Sequence, residues 1–361
     1  TGAIACSNSG GYWGAELKMA GWDMIIFEGR SPKPVYLFVE NDTALLLDAG
    51  FIWGKSVWET EPALRDKHQD AQIRVSSIGR AGETGCLYAA VVNDLHRAAG
   101  RSGVGTVMGS KNLKAIAVRG TKGVGNVRDP KAFMQATEAG KKVLAGHPVT
   151  GQGLPKYGTQ VLMNVINEIG ALPTRNHREV QFEGAKNISG EAMHEPRKTD
   201  GKPNLVTNQA CFGCTIACGR ISKLDEGHFT VKNKPEFWGA SGGLEYEAAW
   251  ALGAANGGND LEALTYANFA CNQHGMAPIS FGAPVGAGEA AGAPLRRGTQ
   301  AFRAGGPGRG RPGRAGRRAA TGLGRVPARH SLLRPAPGGR PRAAARRLAR
   351  ARRPLRRPAH A

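Results

Sequence analysis

Three cysteines stand close together as Cys211-Phe212-Gly213-Cys214-Thr215-Ile216-Ala217-Cys218. Thiolates two and three residues apart can converge on one side of a turn leading into a helix, and soft sulfur ligands of this kind suit a [4Fe–4S] cluster. A fourth ligand must then come from elsewhere. Zinc is the rival on spacing alone and would need a further His or Cys, for which His228 is the candidate. Packing cysteines without any metal are the third reading. The order of spacings is the reverse of the radical-SAM pattern.

A second segment is rich in glycine: Arg97-Ala98-Ala99-Gly100-Arg101-Ser102-Gly103-Val104-Gly105, continuing to Gly109, Lys111 and Asn112. Glycines allow a ligand to approach the backbone, and exposed N–H groups beside Arg97, Arg101 and Lys111 suit a phosphate or pyrophosphate. The glycine spacing is neither that of a dinucleotide-binding fingerprint nor that of a P-loop, and a tight structural turn is the competing reading. Ser7-Asn8-Ser9-Gly10-Gly11 poses the same choice between ligand loop and turn.

The elements that must position these residues change character along the chain. Met24 to Glu28 and Val35 to Val39 read as strands flanking a turn over 29–34, which predicts a hairpin. Ile73 to Ile78 and Leu113 to Val118 read as two more strands. From Asp129 the pattern becomes helical. Asp129-Pro130 is a cap and first-turn pair, and that helix closes at Gly146 with Pro148 beyond. Another helix begins near Asn259-Asp260, sets Leu261, Leu264, Asn268 and Cys271 near one face, and stops at Gly275. The fold class expected is α+β: a β-rich part over residues 1–122 and a mainly helical part over 123–283.

The net charge of +21 over 361 residues would ordinarily suggest a nucleic acid or an anionic surface. It is not evenly spread. Residues 284–361 hold twenty arginines, no Lys or Asp and a single acid, Glu289, for a net +19, and the remaining residues carry only +2. This tail is almost wholly Arg, Ala, Gly, Pro and Leu, a composition expected to stay disordered. It reads as a GC-rich gene translated out of frame, with a basic arm that binds phosphates as the alternative.

The six cysteines are not spread like a secreted disulfide framework, and they favour a reducing, cytoplasmic setting. No signal peptide and no apolar run of membrane-helix length is visible. The opening at Thr1, already close to a glycine-rich motif, reads as an internal fragment.

Several segments in order carry a family resemblance. Cys6-Ser7-Asn8-Ser9-Gly10-Gly11-Tyr12-Trp13-Gly14 is followed by Glu16-Leu17-Lys18 and Ala20-Gly21-Trp22-Asp23. The glycine-rich segment comes next, then Leu172-Pro173-Thr174-Arg175-Asn176 and the cysteine cluster. Gly243-Leu244-Glu245-Tyr246-Glu247 and Trp250-Ala251-Leu252-Gly253 close the series. In this order they resemble the aldehyde ferredoxin oxidoreductase family over residues 1 to about 282.

The resemblance implies a tungsten (or molybdenum) atom held by the dithiolenes of two pyranopterins, with a magnesium bridging the pterin phosphates. The backbone carbonyls of Asn8 and Ala98 would face that magnesium, Gly10 and Arg97 would contact the pterin, and Asn272 would take the place of a pterin-binding acid or amide. Cys211, Cys214 and Cys218 would be cluster ligands. Glu247 would be the catalytic carboxylate beside the metal; read without the family it is a solvated helix-start acid. A small aldehyde would be the substrate, and electrons would pass to ferredoxin or a partner subunit, with a homo- or hetero-oligomer possible. A relative acting on an aromatic acyl-thioester or another carbonyl is the alternative within the family. A zinc- or nucleic-acid-binding protein with an Arg-rich arm is the alternative outside it. In Asn272-Gln273-His274-Gly275-Met276-Ala277 an Ala replaces the family's final Asp. The fourth cluster thiolate and an active-site His would lie beyond the matched stretch, so the chain alone is expected to be inactive.

Overall fold

The computed structural model describes residues 4–125 and 127–290. The chain runs α1 (Trp13–Met19), β1 (Val35–Glu40), β2 (Thr43–Asp48), α2 (Val57–His68), β3 (Arg74–Ser77), α3 (Arg80–Glu83), β4 (Val91–Asn93), β5 (Arg97–Ala99), α4 (Val104–Ser110) and β6 (Leu113–Arg119). The second half follows as α5 (Pro130–Gly146), α6 (Leu154–Tyr157), α7 (Leu162–Glu168), β7 (Leu205–Gln209), β8 (Gly219–Ser222), β9 (Ser241–Gly242), α8 (Tyr246–Leu252), α9 (Leu261–His274) and α10 (Pro278–Ala290), with short 3-10 and π turns between. The fold is α+β. A six-stranded sheet of order β2-β1-β6-β3-β4-β5 fills the first part, and a three-stranded sheet β7-β8-β9 sits among the helices of the second. All described residues fall within one unit.

The long central strands form where β-branched and aromatic residues recur. β1 lies parallel to β6 and antiparallel to β2, with Tyr36 opposite Ala115 and Leu47. Tyr36, Ile73, Val75, Ala115 and Ala117 bury their side chains against Ile52 and Leu64 of the α2 side. Each fully buried Leu or Ile removes enough apolar surface to stabilise by about 2 kcal/mol. A capping box starts α2: the Glu59 N–H donates to Ser56 Oγ at 3.3 Å, and the Ser56 N–H donates back to Glu59 Oε2 at 2.8 Å.

Both expected helices are present. Asp129 caps α5 by accepting from the Ala132 N–H at 2.9 Å, and Asp260 caps α9 by accepting from Ala263 at 3.0 Å. Gly275, at φ 70°, ends α9 in the left-handed conformation. Leu264, Asn268 and Cys271 of α9 are buried, whereas α5 buries no residue.

Three expectations need correction. The hairpin is not between Met24 to Glu28 and Val35 to Val39: β1 pairs instead with β2 and, on its other edge, with β6. Both hydrogen-bonding edges of β1 are therefore taken. Ile25 and Phe27 pack as an extended segment against Leu17, Leu37 and Val118. The three cysteines do not lead into a helix. They form the connection from β7 to β8. The arginine-rich tail does not begin at residue 284, because α10 continues through Ala290. Its close approach to α8 needs small residues: a Cβ on Gly282 would stand 2.2 Å from the Ala251 carbonyl oxygen. Within the window itself a Cβ on Gly286 would stand 3.0 Å from Asn256 Oδ1 and 3.2 Å from the Ala255 carbonyl oxygen, a closeness that an average over the whole tail hides. The rest of the tail lies outside the described residues. Among the described residues no helix is long and apolar enough to cross a membrane.

Candidate functional site

A cavity of 770 Å³ opens between the β-rich part and the helices. Asn8 and Gly10 reach it from the first loop, Arg97 and Ala98 from β5, and Cys218 from the end of the loop before β8. Glu247 comes from the first turn of α8, and Asn272 from the last turn of α9. Residues up to 264 positions apart in the chain therefore meet on one wall. Cys211 stands just behind: a Cβ on Gly10 would come within 2.7 Å of its sulfur. Cys214 does not line the cavity, though its sulfur accepts a hydrogen bond from the Ile216 N–H at 3.4 Å.

Two loops make the rim, and polar side chains fasten them together. Ser7 Oγ donates to the Gly100 carbonyl at 2.7 Å, and Ser102 Oγ donates to the Cys6 carbonyl at 2.8 Å. The β4–β5 turn reaches across as well. Asn93 Oδ1 accepts from Ser9 Oγ at 2.7 Å, and Asp94 Oδ2 accepts from the Tyr12 N–H at 2.6 Å. Asp94 and the following Leu95 both sit at positive φ, 49° and 64°. Such strain persists where surrounding contacts over-determine it. Gly11 is required here: at φ +97°, its Cβ would fall 2.2 Å from Asp94 Oδ2. Sequence reasoning missed Asn93 and Asp94, although both residue types tolerate a left-handed turn.

The glycine-rich segment divides in two. Arg97 and Arg101 line the cavity, while Lys111 is turned away and donates to the Gly29 carbonyl at 3.1 Å. Gly105 and Gly109 serve close packing of α4, where a Cβ would meet the Ala90 and Gly82 carbonyl oxygens. The expected phosphate cradle is thus confined to the first half of the motif.

A carboxylate beside Glu247 also escaped the sequence reading. Glu245, the residue before α8, lines the cavity and accepts from Thr159 Oγ1 at 2.5 Å, while Thr159 Oγ1 accepts from the Tyr246 N–H at 2.9 Å. Burial pushes the Glu245 carboxyl above its ordinary range, against the opposing pull of the Thr159 hydrogen bond and the Arg97 and Arg220 guanidiniums. Burial also depresses His96, another lining residue, to about 4, with the neighbouring Arg97 charge adding to the effect. Burial raises the Cys218 thiol, as do the charges of Glu245 and of Cys211 and Cys214, with Arg97 opposing them.

The donor set fits a resident anionic group. Buried polar atoms rarely go unpaired. Arg220 Nε, a donor on a cavity-lining residue, has no partner among the described residues. Among the described residues no three of His, Cys, Asp and Glu gather tightly enough for a single metal ion. A cluster of several irons binds its thiolates at separate corners and needs no such convergence. His228, the one residue available to the zinc reading, is engaged by Asp260 at 3.2 Å and Thr230 at 2.8 Å. Cys271 is buried in α9 and its thiol is pushed up to about 12 by burial and the nearby Cys86, so it is an unreactive packing thiol.

Fold and site together define an α+β protein in which a two-loop rim, the last of three clustered cysteines and a pair of acids share one cavity. The family model "Aldehyde ferredoxin oxidoreductase, N-terminal domain" matches residues 1–120, and "Aldehyde ferredoxin oxidoreductase, domains 2 & 3" matches residues 135–290. The chain belongs to the aldehyde ferredoxin oxidoreductase family. It is 49% identical over 282 residues to a tungsten-containing aldehyde ferredoxin oxidoreductase of Pyrococcus abyssi, covering 78% of this chain and 43% of that protein. It is 29% identical over 288 residues to the WOR-like subunit of an aliphatic sulfonate oxidoreductase of Pyrococcus furiosus, covering 76% of this chain and 43% of that one. The fold is also that of a solved structure, the active site complex BamBC of benzoyl coenzyme A reductase in complex with 1,5 dienoyl-CoA. The TM-score is 0.60 at 24% identity, over 84% of this chain and 45% of that one. The chain spans under half the length of the curated relatives it matches.

Proposed function

We propose that the chain is the cofactor-cradling part of an oxidoreductase that converts small aldehydes to carboxylic acids. Electrons would leave through a [4Fe–4S] cluster to ferredoxin or an electron-transfer subunit. The observation that carries this reading is the meeting of Asn8, Gly10, Arg97, Ala98, Cys218, Glu247 and Asn272 around one cavity. The match to the tungsten-containing aldehyde-oxidising relative, at 49% identity against 29% for the sulfonate relative, favours an aldehyde as substrate.

Residues 1–122 would hold the pterin and residues 123–283 the cysteines. A tungsten (or molybdenum) bis-pyranopterin bound in the cavity would supply a two-electron acceptor. Arg97 and Arg101 would neutralise its phosphates, the carbonyls of Asn8 and Ala98 would face the bridging magnesium, and Gly10 leaves the backbone open to the pterin. Asn272 would offer an amide in place of an acid. Ala277 lines the same cavity but has no polar atom with which to add a second hydrogen bond. Oxidation of an aldehyde and water to a carboxylic acid releases two electrons and two protons. Glu247, at the start of α8, would take one proton from water or from the hydrated aldehyde.

Elemental analysis of the purified chain tests the reading, followed by viologen-coupled assays with an aldehyde, an aliphatic sulfonate and an aromatic acyl-thioester. Iron with tungsten or molybdenum is expected, and aldehyde as the preferred substrate once the family's remaining segments are supplied in a full-length fusion. Zinc alone would overturn the proposal. Turnover of sulfonate or thioester but not aldehyde would move it to the corresponding relative.

A further inference from the structure

The loop that carries Asn8 and Gly10 has two faces. Ser7, Asn8, Ser9 and Gly10 line the cavity, whereas Gly11 and Tyr12 do not. Those two residues meet the cysteine connection instead. The Phe212 N–H donates to the Gly11 carbonyl at 3.1 Å. The Tyr12 and Phe212 rings meet edge to face, with centroids 6.3 Å apart and planes at 81°. Gly10 belongs to both faces, because a Cβ there would stand 2.7 Å from Cys211 Sγ. From the sheet side the Arg74 guanidinium lies over the Tyr12 ring, 4.9 Å from its centroid, and 3.6 Å from Asp94, which also accepts from the Tyr12 N–H.

No residue from Ile4 to Glu16 is buried, so order in this loop rests on polar and ring contacts and not on a core. A segment held in this way is costly to fix, and a ligand that fixes it for one site spares the other site that cost. We propose that the loop couples the two sites, so that a pterin in the cavity and an iron–sulfur cluster at the cysteines each tighten the binding of the other, with the Tyr12–Phe212 contact as the side-chain link. The inference rests on the cofactor reading given above. Binding linkage makes the effect reciprocal: the factor by which pterin strengthens iron binding is the factor by which iron strengthens pterin binding. The ring pair suits the task because edge-to-face contact has a preferred geometry. Arg74 holds the Tyr12 ring from its other side. Tyr12 and Phe212 lie outside the cavity lining and are positioning residues.

The test uses the full chain, produced in a host that makes pterin and in one that lacks a pterin-synthesis step. Both preparations are reconstituted anaerobically with iron and sulfide in excess mercaptoethanol, which supplies a fourth thiolate. Titration with an iron chelator then reads how tightly each holds iron, and pterin is read by fluorescence after oxidation. The pterin-loaded wild type is expected to hold iron about fivefold more tightly than the pterin-free chain, the lower end of ordinary coupling between sites. Cys214→Ser removes a thiolate that does not line the cavity, and should lower pterin content in turn. Tyr12→Ala is expected to bring the fivefold ratio close to one, while Tyr12→Phe, which keeps the ring, retains it. Phe212 is 51% exposed, so Phe212→Ala removes the same contact with little risk to folding and should also abolish the ratio. Equal iron affinity in the two wild-type preparations overturns the coupling. A ratio unchanged in both Tyr12→Ala and Phe212→Ala overturns the ring link. A wild-type chain that takes up no iron, or no pterin, overturns the cofactor reading and this inference with it.

Discussion

Asn93 and Gly10 are joined across the rim of the cavity: Asn93 Nδ2 donates to the Gly10 carbonyl oxygen at 2.9 Å, from a side chain that is itself 4% exposed. The bond ties the first loop to the strand that leads into Arg97. Gly10 lies at the surface, so its carbonyl can turn to water when the amide is removed. Asn93→Ala should therefore cost little stability, about 1 kcal/mol. The larger effect expected is on order in the loop that carries Asn8 and Gly10. Pterin released by oxidation and read by fluorescence should fall several-fold in the variant, with a melting temperature shifted by only a few degrees. Full pterin content in Asn93→Ala would show that the latch is dispensable.

That latch marks where the sequence stopped being informative. The motifs themselves were legible, because cysteine spacing and glycine density are local, and so were the capped helices α5 and α9. What local pattern could not give was the company each residue keeps. Asn93, Asp94 and Glu245 are ordinary polar residues whose roles come from partners 82 to 86 positions away. The failed hairpin has the same origin: the apolar run of Met24 to Phe27 is present, but β6, over seventy residues later, takes the other edge of β1.

Gly10 also faces the cysteines. A methyl group there would intrude to 2.7 Å from Cys211 Sγ, well inside contact distance. Gly10→Ala should therefore disturb iron binding as well as pterin binding. Iron per chain after reconstitution is expected to drop, with the circular-dichroism spectrum unchanged. Equal iron uptake by the variant would mean that the loop and the cysteine connection move independently.

The Lys114–Glu83 pair lies under the sheet, far from this chemistry in role. The two side chains are 0% and 6% exposed and 2.5 Å apart, and Lys114 Nζ also donates to the Lys55 carbonyl at 2.7 Å. Burial pulls the Lys114 ammonium below its ordinary range, and Glu83 pulls it back up. Glu83→Ala leaves that charge buried with only a carbonyl for company, and should cost about 3–5 kcal/mol in urea unfolding. Removing both charges as Lys114→Met with Glu83→Leu should cost far less. A double variant as unstable as the single one would place the cost in packing instead of charge.

His228 and Asp260 give a pH dependence with a definite sign. Burial opposes charge on His228, but the hydrogen bond and charge of Asp260 outweigh it, so the folded pKa lies above the ordinary 6.5. Burial likewise opposes charge on Asp260, and His228 together with the Ala263 N–H brings its pKa below the ordinary value. A raised His pKa contributes stability that is fully present below the unfolded value and is lost as pH rises through the folded one. A lowered Asp pKa contributes stability present above its unfolded value and lost as pH falls through the folded one. The pair thus stabilises most between the two ranges, near pH 5 to 6, by about 0.5–1 kcal/mol for a partly exposed bridge. Urea unfolding of wild type and His228→Gln at pH 5.5 and 8.5 should show the wild-type advantage at the lower pH only. Asp260→Asn keeps a good helix cap for α9 and should erase that pH difference; a difference that survives in Asp260→Asn would assign it to another group.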